Sequence, residues 1–191
     1  MKILLVHCHY RLPGGEDAVF AAERALLERR GHQVIVYERS NEEAAHGLPK
    51  ALLPLHAVWN HAAARDIKHI IKKQNIDAVH IHNTLLLLSP AVVRAAKSTG
   101  VPVVQTLHNF RLFCPNGILL RDGRVCEDCP RHGLSCAIRH RCYRGSLAQT
   151  LVVAAAYGLH RRLGTWRGVT MVALTEFDRQ KLLEFNRQYP M

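Results

Sequence analysis

Apolar residues along this chain fall into short runs and helical stripes that alternate in a regular order. Lys2 to Cys8 is an apolar run bounded by polar residues, Pro13-Gly14-Gly15 is a turn, and Glu16 to Arg30 carries a helical pattern with Val19, Ala22 and Leu26 on one face. Gly31 follows the last turn, Glu28-Arg29-Arg30, as a helix stop. Gln33 to Tyr37 reads as a second strand, and a strand-helix-strand unit of this length requires a parallel crossover. The pattern continues with a helical stretch around Val58 to Gln74, a strand Ala78 to His82, a helix Pro90 to Ser98 closed by Gly100, and a strand Val101 to Leu107. After an irregular segment from His108 to Arg144 come an alanine-rich helix from Ser146 to Leu163, a strand Val169 to Leu174 and a helix Glu176 to Phe185. Alternation of this kind specifies an α/β fold, a Rossmann-like doubly wound parallel sheet, here with a Cys-rich irregular insertion.

The 191 residues make one full domain with a little over, and 48% apolar with 21% charged residues is the balance of a folded soluble protein. The longest apolar stretch, Leu151 to Leu159, is about half of the roughly 20 residues a membrane span needs. Lys2 precedes only Ile3 to Val6 before His7, too short for the apolar region of a signal peptide. The expected compartment is therefore the cytoplasm, where cysteines stay reduced.

Charge narrows the partners. The net charge is +11, and residues 111 to 162 hold nine arginines, no lysine and only Asp122, Glu127 and Asp128 as acids. Such a surface attracts anions, whether nucleic acid, an anionic membrane or a phosphate-bearing ligand.

Ligands of open parallel sheets sit at the carboxyl ends of the strands. Here those ends carry His7-Cys8-His9, His80-Ile81-His82-Asn83, His108-Asn109 and Thr175-Glu176. Alternation puts Ala78, His80 and His82 on one strand face, opposite Val79 and Ile81. His82 and His108 could act as general acid or base or hydrogen-bond a sugar hydroxyl; packed strand-end histidines bonded to backbone are the structural alternative. Gly14-Gly15 could let a backbone approach a phosphate at a helix N-terminus, or could simply make a strand-to-helix turn. GxGxxG and GxxxxGK[ST] are both missing, which disfavours nicotinamide enzymes and P-loop ATPases.

Five of the six cysteines lie between positions 114 and 142. Cys126-Glu127-Asp128-Cys129 is a CxxC knuckle, and Cys114, Cys126, Cys129 and Cys142 are the best quartet for a structural zinc, with Cys136 to spare and His132 or His140 as substitutes. Unliganded thiols and disulfides are the alternatives. The segment from the knuckle to Ser146 is too polar and arginine-rich to build a core of its own, a situation in which metal supplies folding energy.

Six stretches in order carry a resemblance: Pro13-Gly14-Gly15-Glu16, Val79-His80-Ile81-His82-Asn83, Thr106-Leu107-His108-Asn109-Phe110-Arg111 with Cys114-Pro115-Asn116, Arg121 to Cys129, Cys142-Tyr143-Arg144-Gly145-Ser146, and Ala173-Leu174-Thr175-Glu176-Phe177. Together they resemble the N-terminal, acceptor-side domain of a retaining, nucleotide-sugar-dependent glycosyltransferase of the GT-B fold, in the manner of glycosyltransferase family 4. The resemblance covers residues 1–191 as a single domain whose Cys/Arg-rich insertion spans 110–145.

The resemblance implies a lobe that binds a glycan or lipid-linked acceptor, with a second lobe binding the nucleotide-sugar. By position it makes Gly14 and Gly15 donor-phosphate contacts, His108 a catalytic reaction-centre residue, and His82, Asn109, Arg111, Thr175 and Glu176 cleft-lining residues. It implies no catalytic cofactor, so that any zinc would be structural. Nothing in these residues matches the family's donor lobe, and the chain ends at Met191, so the expectation is a lobe inactive alone: a truncated gene, a fragment, or one subunit of a split pair whose donor half another chain supplies. Arginine clustering adds an expected contact with either an anionic membrane, peripherally at its inner face, or a phosphorylated acceptor. The alternative is a zinc-stabilised basic domain binding nucleic acid; it is disfavoured because aromatics are only 6% of the chain, too few to interleave with the arginines.

Overall fold

The computed structural model describes residues 1–10, 12, 14–42 and 50–188; Pro13 of the glycine turn lies outside them. The chain divides into two compact units, Met1–His108 with Gly168–Val172, and Asn109–Arg167 with the residues from Ala173 onward.

The first unit is a five-stranded sheet. Its strands are β1 (Lys2–His9), β2 (Gln33–Ser40), β3 (Ala78–Ile81), β4 (Val103–Leu107) and, after the excursion through the second unit, a strand at Thr170–Ala173, in the order β2-β1-β3-β4 and then this last strand. The pairs β1/β2, β1/β3 and β3/β4 are parallel, as the alternation of elements demands. Leu5 faces His80 and Val6 faces Ile81 across the β1/β3 pair. The ladder runs two residues past β3, because the His82 amide donates to the Val6 carbonyl at 2.9 Å and the Cys8 amide to the Asn83 carbonyl at 3.0 Å. Helix α1 (Gly15–Arg29) connects β1 to β2; α2 (Leu53–Val58) and α3 (His61–Gln74) lead to β3; α4 (Ala91–Lys97) leads to β4. Right-handed crossovers in this strand order place α1 on one face of the sheet and α3 and α4 on the other.

Local chemistry sets the boundaries. Asn60 splits the helical stretch read from Val58 to Gln74, because its side-chain oxygen accepts from the Ala63 amide at 3.0 Å and caps a new helix. Asn75 ends that helix in the left-handed conformation, φ 52°. Helix α1 turns a different face inward from the apolar stripe expected of it. Phe20 is buried and packs with Ile3 and Leu5, flanked by Leu27, whereas Ala22 and Leu26 are exposed. Asp17 and Glu23 share the inward face with Phe20, since residues three apart stack on one side of a helix.

The second unit is more ordered than the irregular segment expected between His108 and Arg144. It holds a hairpin of β5 (Leu120–Arg121) and β6 (Arg124–Val125), α5 (Asp128–His132), α6 (Ser135–Arg139), α7 (Leu147–Arg162) and, following the Thr170–Ala173 strand β7, α8 (Glu176–Gln188). The hairpin turn is Asp122-Gly123, both at positive φ (52° and 74°), which is the requirement of the tight turn that matches strand twist. This unit does have a hydrophobic core. Leu112, Phe113, Leu119, Cys129, Ala137, Tyr143, Val153, Ala156, Tyr157, Trp166 and Phe185 are all buried, so the arginine-rich segment docks its few apolar residues against α7 and α8 rather than building a core alone.

An ion network fastens α8 within this unit. Glu127 receives Lys181 on one carboxylate oxygen and Arg131 at 2.7 Å on the other. The hydrogen bond from Lys181, then that from Arg131, holds the Glu127 carboxyl below its ordinary value of 4.5. Both cations are partly exposed, so Glu127→Gln is expected to cost about 1 kcal/mol. The stability from a depressed carboxyl is present above the unfolded-state value and is lost as acid carries the pH through the folded-state value. Thermal melts should therefore separate wild type from Glu127→Gln by about 2–4 °C at pH 7, and the gap should close below pH 4.5.

Candidate active site at the β1/β3 switch point

Strand β1 sends its crossover one way, to β2, while the chain next returns on its other side as β3. The crevice outside the carboxyl ends of two such strands is the ligand site of doubly wound sheets. In this protein that crevice is lined by imidazoles. His7 and His9 alternate out of β1 on the α1 face, His82 leaves β3 beside them, and His108 follows β4.

Two carboxylates from α1 organise the rings into two clusters. Asp17 Oδ1 accepts from His7 Nε2 at 2.9 Å and from His9 Nδ1 at 2.7 Å, while Asp17 Oδ2 accepts from the Gly14 amide at 2.7 Å. With Nε2 donating, His7 Nδ1 is left to accept from the Asn83 amide, at 3.4 Å. His9 Nε2 lies 3.2 Å from Glu38 Oε1. The second cluster centres on Glu23, whose Oε2 is 3.3 Å from both His80 Nε2 and His82 Nε2. His80 Nε2 also meets Thr106 Oγ1 at 2.8 Å, and His82 Nδ1 meets His108 Nε2 at 3.1 Å. Phe20 sits among the rings, stacked on His7 with centroids 4.7 Å apart and edge-on to His82 at 5.1 Å.

Burial sets the charge states. It is the main reason that His108 is lowered to about 4, with the His82 and His7 rings next. Burial and then His82 lower His80 to about 4 as well. Both rings are therefore uncharged at neutral pH and hold a donor nitrogen and an acceptor nitrogen each. Burial also lowers His7, against the hydrogen bond to Asp17. For Asp17 burial pushes upward, but the bonds from His7, Gly14 and His9 outweigh it and hold the carboxyl below its ordinary value. Glu23 behaves likewise, with the His82, His80 and His108 rings outweighing burial. The arrangement is two anions set among neutral or chargeable imidazoles, able to hydrogen-bond hydroxyls and to exchange protons at a shielded edge.

Sequence reasoning singled out His82 and His108, and the structure brings them into contact. Neither is a strand-end histidine bonded to backbone through its ring: His82 meets His108 and Glu23 instead. Gly14 and Gly15 stand at the start of α1, where a Cβ on either would meet nothing within 4 Å. The fold does not require glycine at these two positions. Asn109 and Arg111 belong to the second unit, where Asn109 Oδ1 accepts from the Arg111 amide at 3.0 Å and the Arg111 guanidinium lies 5.8 Å from the Tyr143 ring centre. Thr175 caps α8, its hydroxyl oxygen accepting from the Asp178 amide at 3.1 Å. Glu176 is held by Arg179 at 2.6 and 2.7 Å, which with Gln180 lowers its carboxyl to about 2.

The cysteines are all free thiols. Cys114 and Cys129 are buried, and burial, with Cys114, Cys136 and Cys142 adding to it, pushes the Cys129 thiol up to about 12. Cys142 is raised by burial and then by Cys114 and other neighbours. The quartet Cys114, Cys126, Cys129 and Cys142 thus shares one neighbourhood, yet among the described residues no three cysteine sulfurs lie within 4.8 Å of one another.

Asp17, Glu23 and Phe20 escaped the sequence reading, and Thr106 entered it only as part of a resembling stretch. The spacing of Asp17, Phe20 and Glu23 was a usable signal, for it puts all three on one helix side.

The model of the family described as Glycosyltransferase Family 4 matches residues 13–127, more than half of the chain. The chain belongs to glycosyltransferase family 4. A search of curated proteins finds no match. The matched segment contains every residue of both imidazole clusters except His7 and His9. The parallel α/β sheet fits the N-terminal lobe of a GT-B enzyme, and family 4 membership makes a sugar donor and an acceptor the general class of substrate.

Proposed function

We propose that residues 1–191 are the acceptor-side lobe of a retaining, nucleotide-sugar-dependent family 4 glycosyltransferase that extends a glycan or a lipid-linked acceptor. The observation that carries this reading is the contact between His82 and His108 at the β1/β3 switch point. His108, uncharged and joined to His82, is the residue proposed beside the transferred sugar, able to accept or donate a hydrogen bond without adding charge. Gly14 and Gly15 leave open space at the N-terminus of α1, which suits the close approach of a donor's phosphates. Asn109, Arg111, Thr175 and Glu176 are proposed to contribute to the cleft. A structural zinc at Cys114, Cys126, Cys129 and Cys142 would draw these thiols together and brace the arginine-rich insertion. No helix of the described residues is long and apolar enough to cross a membrane; contact with an anionic membrane face through the arginines is proposed as peripheral.

Binding to an array of glycans tests the reading. The expected result is retention on one glycan class that survives raised salt and is lost in His108→Ala, whereas Gly14→Ala and Gly15→Ala keep the wild-type melting temperature. The 191 residues alone are expected not to turn over a UDP- or GDP-sugar, because no donor-lobe motif lies within them. Binding to nucleic acid that falls steeply with salt, with no retention on any glycan, would overturn the reading in favour of a basic nucleic-acid module. Turnover of a nucleotide-sugar by these residues alone would sink the division of labour between lobes.

A further inference from the structure

The two imidazole clusters differ in one respect. Around Asp17 each carboxylate oxygen accepts a short hydrogen bond, and His7 is satisfied at both ring nitrogens. Around Glu23 the bonding is incomplete: His80 Nε2 meets Thr106 Oγ1 at 2.8 Å, a contact that a metal-bound Nε2 would give up, while two other atoms converge unbonded. Glu23 Oε2 and His82 Nε2 are both buried and form no hydrogen bond, although they are 3.3 Å apart. His82 is 2% exposed, so water cannot easily supply the missing partner. Buried polar atoms left this way cost free energy unless something satisfies them.

The spacing says what could. Two imidazole nitrogens stand 3.3 Å from the same carboxylate oxygen, longer than a charge-assisted hydrogen bond of about 2.7–2.9 Å. In a tetrahedral site with metal–ligand bonds of about 2.0–2.1 Å, neighbouring ligand atoms are about 3.3–3.4 Å apart. Glu23, His80 and His82 offer one ligand atom each, all within 4.8 Å of one another.

We propose that Glu23 Oε2, His80 Nε2 and His82 Nε2 form a binding site for a divalent transition-metal ion at the β1/β3 switch point. Two imidazoles and one carboxylate suit zinc or another borderline first-row ion, not calcium or magnesium, which prefer oxygen-only shells. Binding through Nε2 fixes the proton of His82 on Nδ1, which then donates to His108 Nε2 at 3.1 Å. This is the usual arrangement in which the far ring nitrogen of a metal-bound histidine is held by an outer partner, and it makes His108 that partner. His80 and Glu23 side chains are 16% and 25% exposed, so a fourth position is reachable by water or by a hydroxyl or phosphate oxygen of a ligand. The site stands independently of whether these residues transfer a sugar, and it departs from the expectation that zinc, if present, serves only the cysteines.

Cobalt(II) separates the two kinds of site. The purified chain, stripped with chelator and with its thiols alkylated, is titrated with Co2+ and followed by visible absorption. The expected result is one ion per chain with weak nitrogen/oxygen ligand-field bands and no thiolate charge-transfer band. Glu23→Gln and His80→Asn should each weaken binding about 100-fold or more, while the exposed His69→Asn leaves it unchanged. Glu23→Gln keeps the side-chain shape, so its far-ultraviolet circular dichroism should match wild type and the test survives even if His80→Asn does not fold. Absence of a nitrogen/oxygen-coordinated ion in the wild type would overturn the proposal. So would unchanged affinity in Glu23→Gln, or loss of the ion in Asp17→Asn with normal binding in Glu23→Gln.

Discussion

Replacing Asp17 with alanine is expected to destabilise the first unit by about 3 kcal/mol, seen as a fall in melting temperature of about 6–12 °C. One carboxylate accepts from His7, His9 and the Gly14 amide, so its removal breaks three bonds together. The heavier consequence falls on His7, which is fully buried and would keep an Nε2 donor with no acceptor. Hydrogen bonds to a charged group contribute about 1.5–3 kcal/mol each, and a stranded buried donor costs about 1–3 kcal/mol, with partial relaxation keeping the total below the sum. Asp17→Asn should fall between wild type and alanine. Its amide oxygen can still accept from His7, but its NH2 group would face the Gly14 amide, donor against donor. Urea unfolding of the three proteins checks the order, and a loss below about 0.5 kcal/mol for Asp17→Ala would show that the cluster is not a structural pin.

Phe113→Ala is expected to cost about 4 kcal/mol and to release α8 from the second unit. Phe113 is fully buried, its ring centre is 5.4 Å from that of Phe185, and the Arg161 guanidinium lies 5.4 Å over its face. Phe110 adds edge contacts to Phe177 and Phe185 at 6.4 and 6.3 Å. These rings tie the segment after β4 to α8 within one unit, so truncating the most buried of them opens a cavity that its neighbours cannot refill. Limited proteolysis should cut ahead of α8 in Phe113→Ala and spare wild type. The same variant weighs aromatic packing against metal. If the cysteines were the main support of this unit, chelation would reproduce the cleavage pattern and Phe113→Ala would have a small effect.

Much of the sheet was legible because short apolar runs between glycine and polar punctuation are the direct imprint of parallel strands. The strand ends were legible too: His82 and His108 stand at the carboxyl ends of β3 and β4, the edge where such sheets bind ligands. What periodicity could not show was the inward face of α1. The stripe of Val19, Ala22 and Leu26 is the more apolar one, yet Asp17, Phe20 and Glu23 turn inward, where Phe20 packs on Ile3 and Leu5 and the two carboxylates meet the imidazoles of β1 and β3. A hydrophobic pattern is blind to a polar interior. The helices of the insertion were missed for a related reason, since α5 and α6 have five residues each and depend on buried partners distant in sequence. The Asp122-Gly123 turn, by contrast, carried its signal openly.

The three-residue steps from Asp17 to Phe20 to Glu23 also govern which kinds of sequence change this lobe can absorb. Each residue of an α-helix turns the next by about 100°, so deleting or inserting one residue between Asp17 and Glu23 would swing one carboxylate away from its imidazoles while the other stayed in place. Point substitutions on the outer side of α1, at Ala22 or Leu26, leave both clusters connected. Within this helix the spacing between residues is therefore under tighter constraint than the identity of most of them, and a change of length there would uncouple two groups of side chains that no single replacement on the outer surface can reach.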